Sequence, residues 1–343
     1  MKKCIFLLAI TLLASCGRPK QQLFVFTWRN NIDPGVVTEF ERRFDCQVVQ
    51  DYFDSGEAAA VKLSNGGTSV YDVILGIGND GISSFRGLGL LAPLRHENIP
   101  NLKYLDPQFA HPPSDPENQY VVAYQIGVVG LFLRKPKSGI VDDSWGLIFD
   151  PARQIGSFYL LDETRTCIGA ALRYKGYSLN TTNLGELAEA RDLLVETKKR
   201  SLGFQVVSGC RQQVLSRKAT VTMAWNGAVS DDLREDPETY FFVPREGSTL
   251  GVDNAAIPAK APHRDLAEKF INFLCEPKIA AQNATGVGAA TPIKEALNFL
   301  PPEVRKNPAM YPPPEVMSRL GFLKDLGAQT KLYDEIWTQI KSK

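Results

Sequence analysis

"QLFVFTWRNNIDPGVVTEFERRFDCQVVQDYF", residues 22–53, runs through a strand, a turn, a helix and a second strand without interruption. Gln22 to Trp28 is an apolar strand. Asp33 stands where a side chain can accept from the first free amides of a helix, Pro34 suits the first helical turn, and Val36, Val37, Phe40 and Phe44 recur at helical spacing. Cys46 to Phe53 reads as the next strand, and "EAAAVKLSN" (57–65) and "YDVILGIG" (71–78) add a helix and a third strand. This is the βαβ alternation of a parallel sheet. Open α/β sheets place ligands where their strands stop, so Trp28 to Asn31 form a candidate wall of a binding cleft.

The alternation continues beyond this unit. "QYVVAYQIGVVGLFLR" (119–134) is too long for an ordinary strand and is broken by glycines, so it reads as two pieces with a crossing between lobes at Gln125 to Gly130. A second lobe then opens with a strand from Gly156 to Leu161, an acidic turn, and a helix ended by Gly176. A long helix at 184–200 and a helix, strand and helix over 212–236 follow. Residues 240–262 return to the first lobe, whose later helices are "HRDLAEKFINFLC" and "PKIAAQNATG"; a proline-rich stretch at 299–315 precedes a terminal helix at 326–341. The expected fold is α/β with two lobes, crossing hinge strands and a ligand cleft between them. Its parts are 23–125 plus 254–295 for lobe 1, and 126–253 plus 296–343 for lobe 2.

The chain opens with "MKKCIFLLAITLLASC", two lysines followed by an uncharged run too short to cross a bilayer as a mature helix. Residues 1–15 are therefore expected to be a secretory signal, and 16–22 a tether. Leu13-Ala14-Ser15-Cys16 resembles the bacterial lipobox, which implies diacylglycerol on the Cys16 thiol and a place in the periplasmic space, anchored to a membrane. The chain has 39 basic and 38 acidic residues, and loss of the signal removes Lys2 and Lys3 but no acid, leaving a net charge near −1. That gives no electrostatic basis for a nucleic-acid partner or for an anionic membrane surface, so membrane contact rests on the lipid alone.

Chemistry-bearing signatures are few. Cys46, Cys167, Cys210 and Cys275 are far apart and lack metal spacing, so they read as buried thiols, with one disulfide open to them in an oxidising compartment. His96, His111 and His263 are too few and too scattered for a zinc or imidazole-based catalytic centre, and His96 and His111 sit in turn-like segments. Neither a metal nor a cofactor is expected. No activated nucleophile is evident, so an enzyme is not expected either. "GIGNDG" (76–81) is a glycine-rich turn after a strand, read as a loop rather than a dinucleotide site because no apolar helix start is seen after it.

In their order, "LFVFTWRNNIDPGVVTEFE", "DYFDSGEAAAVKL", "YDVILG", "LDETRTCIGAALRYKGYSLNTTN", "MAWNGAV", "VPREGSTLGVDNAAIP", "FINFLCEPKIAAQNATGVGAATP" and "DLGAQTKLYDEIWTQIK" resemble the periplasmic spermidine/putrescine-binding proteins of ABC importers. The resemblance covers nearly all of the mature chain. It implies a monomer that captures a polyamine between its lobes and delivers it to a membrane permease with its own ATPase. A polyamine needs carboxylates for its ammonium groups and flat aromatic walls for its methylenes. The resemblance assigns the walls to Trp28 and Trp225 and the amine partners to Asp253 and Glu163, the last a longer acid in place of an aspartate. Departures surround them. Asn31 stands where a tyrosine or another ligand-contacting residue is usual, Asn79 replaces an aromatic, Thr166 a second acid, Gly251 a tryptophan and Ala289 a tyrosine. Arg29 beside Trp28 would repel an ammonium and welcome a carboxylate or phosphate, unless it points to solvent or pairs with Asp80. An amino-acid-like or anionic solute is the alternative cargo. The candidate contact set is thus Trp28, Arg29, Asn31, Asn79, Asp80, Glu163, Thr166, Trp225 and Asp253.

Overall fold

A computed structural model describes residues 20–136, 139 and 142–343. The expected signal at 1–15 and the expected lipidation site Cys16 lie outside these residues. The first strand, β1 (Gln21–Thr27), already includes the end of the tether. It is followed by α1 (Pro34–Phe44), β2 (Cys46–Tyr52), α2 (Gly56–Ser64) and β3 (Val73–Gly78). The Asp33 side chain accepts from the Val36 amide at 3.1 Å, and Pro34 occupies the first helical position. Such a cap is worth about 1 kcal/mol. Helix α1 buries Val36 and Phe40, and Phe40 meets Phe270 edge-on at 4.7 Å. Complete burial of such a ring contributes roughly 1.5–3 kcal/mol, which is why the helix lies on this face.

A short helix, α3 (Ile82–Gly87), does follow the glycine-rich turn, contrary to the sequence reading: Ile82 and Phe85 are buried and supply the apolar start. Next comes β4 (Val121–Arg134), then α4 (Gly146–Phe149), β5 (Phe158–Leu161), α5 (Thr164–Tyr174), α6 (Leu184–Arg200), β6 (Phe204–Gln205), α7 (Val207–Leu215), β7 (Val221–Trp225) and α8 (Ser230–Glu235). The chain continues through β8 (Thr239–Phe242), β9 (Thr249–Ala256), α9 (Arg264–Leu274) and α10 (Pro277–Val287). It closes with α11 (Pro302–Arg305), α12 (Pro314–Met317), β10 (Gly321–Phe322) and α13 (Thr330–Ser342).

The two-lobed α/β fold is as expected, and the sheet order shows how it is built. Strands run β2-β1-β3-β9-β4-β7-β5-β6, with β10 beside β9 and β8 beside β4. In lobe 1, β2, β1 and β3 are parallel and β9 is antiparallel to β3. Lobe 2 repeats the scheme: β6, β5 and β7 are parallel and β4 is antiparallel to β7. Each lobe therefore has a switch point at its central pair, β1/β3 in one and β5/β7 in the other. Crevices open at such points, beyond the carboxyl ends of the strands.

The hinge strand differs from the two-piece reading. β4 is one uninterrupted strand of 14 residues. Val121 to Val128 pair with β9, and Val129 to Arg134 pair with β7 and β8, so the change of lobe falls within the strand. A register irregularity between Ala123 and Gln125 accommodates its length. The apolar core divides accordingly. One cluster joins Leu23, Phe40 and Val122 to Phe270 and Leu300; another joins Val129 and Trp145 to Leu172, Met223 and Ile340. Ala296 and Leu300 thus pack with lobe 1.

Candidate functional site

Trp28 follows β1 directly. Its indole nitrogen donates to the Gly76 carbonyl at 3.2 Å, and the ring meets Phe53 edge-on at 4.5 Å. Gly76 has φ +104°, and a methyl there would overlap the indole, so the ring can rest against β3 only because residue 76 has no side chain. Arg29 and Asn30 are exposed, and the Arg29 guanidinium lies over the Tyr52 ring, 4.8 Å from its centre. Asn31 turns inward and is 7% exposed. Its amide nitrogen donates to Thr27 Oγ1 at 2.9 Å, and its carbonyl accepts from the Tyr124 hydroxyl at 2.7 Å and from Gln125 Nε2 at 2.9 Å. Asn283 extends the chain of bonds, donating to the Tyr124 oxygen at 2.8 Å while its own oxygen accepts from the Asp33 amide at 2.9 Å. Asn31 is thus the keystone of the loop that carries Trp28.

At the end of β3, the Asn79 side-chain oxygen accepts from Asn254 Nδ2 at 2.9 Å, which ties the turn to the hinge strand. Asp80 is exposed and folds its carboxylate back over Gly78, where a methyl would stand 2.7 Å from Oδ1. Gly78 is the register partner of Asp253 on β9, and Gln125 of β4 is level with Asp253 on its other side. Asp253 therefore sits in the middle of the hinge, beside the first lobe's switch point.

Lobe 2 contributes Glu163 and Trp225. Glu163 lies between the end of β5 and the first residue of α5, and Trp225 ends β7. The Trp225 indole nitrogen donates to Glu163 Oε2 at 3.1 Å and Oε1 at 3.3 Å. Thr166 is buried and its hydroxyl also bonds the Glu163 carboxylate, so it supports that acid from the first turn of α5. Arg165, the cation next in sequence, is drawn away: it donates to Asn180 Oδ1 at 2.9 Å and to the Lys324 carbonyl at 3.3 Å, and covers the Tyr333 ring at 4.4 Å.

Electrostatics tie these groups together. The Asp253 carboxyl is pushed up from 3.8 to about 6, first by burial and then by the negative charges of Asp80 and Glu163. Burial also raises Glu163, against the hydrogen bonds from Trp225 and Thr166 and with added repulsion from Asp80. Glu163 of lobe 2 and Asp253 of the hinge are buried carboxyls, and the charge of the exposed Asp80 makes ionisation of both harder. A cation placed among them relieves both the burial and the repulsion. Among the described residues, no cluster of three or more acids, histidines or cysteines has the geometry to hold a metal ion.

The structure brings Asp80, Glu163, Thr166, Trp225 and Asp253 into one region, with Asn79 and the loop of Trp28 at its rim. Sequence reasoning gave no site role to Gly76, Gly127, Tyr124, Gln125, Asn254 or Asn283. A glycine on an otherwise apolar strand was the one signal available for the first two. His96 and His111 bond the nearby carbonyls of Asn118 and Pro116 at 2.8 and 2.6 Å, as expected of turn histidines. Cys46, Cys167, Cys210 and Cys275 are buried free thiols.

Two lobes with facing switch points, joined by shared antiparallel strands around a buried charged site, are the architecture of a solute-binding protein. The chain belongs to the bacterial extracellular solute-binding protein family, whose model matches residues 35–312. It is 30% identical to the putrescine/cadaverine-binding protein of Pseudomonas aeruginosa over 99% of both chains. It is 27% identical to the spermidine/putrescine-binding periplasmic protein of Escherichia coli, over 98% of this chain and 96% of that one. A solved structure described as a putative spermidine/putrescine ABC transporter from Listeria monocytogenes is 33% identical and superposes with a TM-score of 0.83, covering 94% of this chain and 99% of that one. The family is one of transporter components rather than of enzymes. No helix among the described residues is long and apolar enough to cross a membrane.

Proposed function

We propose that this protein captures polyamines of the putrescine and spermidine type between its lobes for a bacterial ABC importer. In this reading it acts as a monomer without turning its solute over. It is held at the cell envelope by diacylglycerol on Cys16 and passes its cargo to a permease driven by an ATPase. The observation that carries the reading is the pair of buried carboxyls, Asp253 on the hinge and Glu163 bonded to Trp225, both raised by burial and by the charge of Asp80, a strain that an ammonium ligand would relieve. The names of the relatives support the same cargo.

Asp253 and Glu163 take the ammonium groups, with Asp80 adding negative potential from lobe 1, and Trp225 and Trp28 flank the methylenes. Each ring well placed over a cation contributes roughly 0.5–2 kcal/mol. Arg29 lies exposed over Tyr52, which supports a cation rather than an anionic or amino-acid-like cargo. The lobes are taken as 23–125 with 254–295 and 126–253 with 296–343; the packing of Ala296 and Leu300 against Leu23 and Phe270 supports moving the second crossing past Leu300.

A thermal-shift panel tests this. Putrescine, cadaverine, spermidine and spermine should each be compared with acidic and zwitterionic solutes of similar size. At a hundredfold excess over Kd, a bound solute stabilises the folded state by about 2.7 kcal/mol. No shift with any polyamine at millimolar concentration would overturn the assignment.

A further inference from the structure

Gly127 of β4 and Gly251 of β9 are register partners on the two hinge strands. Both have ordinary negative φ, since neither is among the glycines with positive φ. Backbone conformation therefore does not require glycine at either position, and a side chain would favour the strand. What requires glycine is Trp225. A methyl on Gly251 would stand 2.8 and 2.9 Å from Cζ3 and Cη2 of the indole, and one on Gly127 would stand 3.1 Å from Cε3. The benzene edge of the ring thus covers both strands, while Glu163 holds the nitrogen at its other edge.

We propose that Gly127 and Gly251 are positioning residues for solute recognition: paired, they form a seat on the hinge in which the Trp225 indole lies, and the seat sets how far the ring stands into the cleft. The inference rests on the function proposed above. A side chain at either glycine lifts the ring into the space of the solute and tilts its nitrogen away from Glu163. The same substitution leaves the backbone, Asp80, Asp253 and the core of lobe 1 as they are. Gly251 thus governs recognition without touching the solute.

The test uses the full-length protein and the variants Gly251→Ala and Gly127→Ala. Ligand-free tryptophan emission is recorded for each, and again with the same glycine change in a Trp225→Phe background. Kd values for putrescine, cadaverine and spermidine are measured by calorimetry. Gly251→Ala should shift the emission, the shift should vanish in the Trp225→Phe background, and at least one polyamine should bind roughly tenfold more weakly. Gly127→Ala, which has slightly more room, should show the same effects at smaller amplitude and serves if Gly251→Ala fails to fold. Unaltered emission overturns the seat. Shifted emission with all three Kd values unchanged overturns its role in recognition. If the wild-type protein binds no polyamine, the proposed function fails, and the seat is still decided by ligand-free emission.

Discussion

Acidification from pH 7.5 to 5 should release a bound polyamine through Asp253. Its carboxyl is held at about 6 by burial and by the charges of Asp80 and Glu163, and an ammonium ligand needs it ionised. At pH 7.5 nearly every ligand-free molecule carries the charge; at pH 5 about one in ten does, so Kd rises about tenfold across the interval. The amines of the solute stay protonated throughout, which leaves the protein as the titrating partner. Burial raises Glu163 in the same direction. Calorimetry in two buffers of different ionisation enthalpy reads the linkage directly, and binding near pH 6 should release about half a proton per solute.

Stability runs the other way. A carboxyl raised above its ordinary 3.8 favours the folded state fully at acid pH, and that contribution is lost as pH rises through about 6. The ligand-free variant Asp253→Asn should therefore melt at a higher temperature than wild type at pH 7.5. Its polyamine affinity should fall about thirtyfold or more, and its pH dependence should be shallower. A wild-type Kd that is flat between pH 7.5 and 5, or binding at pH 6 without proton release, would refute the reasoning.

Other perturbations separate the supports of the site. Gly76→Ala places a methyl into the Trp28 ring at a positive φ, and urea unfolding should show a loss of roughly 2–4 kcal/mol; a loss below 0.5 kcal/mol would mean that the ring is not held there. Asn283→Ala leaves the Asp33 amide and the Tyr124 oxygen without their partner, with an expected cost of about 1–3 kcal/mol by the same measurement. Glu163→Gln keeps an acceptor for the Trp225 nitrogen but loses the charge, so polyamine affinity should fall with unchanged ligand-free tryptophan emission; wild-type affinity would remove Glu163 from the site. Cys16→Ser should move the protein from the membrane fraction to the soluble fraction, and persistent membrane association would point to another anchor.

The elements legible in the sequence are those whose causes are local. Asp33 and Pro34 begin α1 through contacts within four residues, and the spacing of Val36, Phe40 and Phe44 declares its buried face. The carboxyl end of β1 could be found in the same way, which put Trp28 at the wall of a cleft, whereas Glu163 and Trp225 entered the candidate set through the family resemblance. Asn31 shows the limit of such reading. It sits at a strand end like Trp28, but its carbonyl is claimed by Tyr124 and Gln125, more than ninety residues away. No local pattern separates an asparagine that faces a solute from one that holds a loop.

The glycines show the same limit more sharply, because a missing side chain carries no sign of what takes its place. On β4, Gly127 and Gly130 suggested a break, yet the strand is continuous and each glycine admits a neighbour: Trp225 at Gly127, and the Phe241 ring with the Phe242 carbonyl at Gly130. On β9, Gly251 suggested a wall that had been lost. The structure fills the place from another strand, since the ring over Gly251 belongs to Trp225. Trp225, already one of the walls that the resemblance assigns, thus extends its aromatic surface over the place where a second tryptophan is absent. The surface in this protein comes from lobe 2, rests on strands shared by both lobes and is anchored by one of the acids of the site. A movement of the hinge therefore moves the wall and its acid together, and the fit to the solute is set where the lobes are joined.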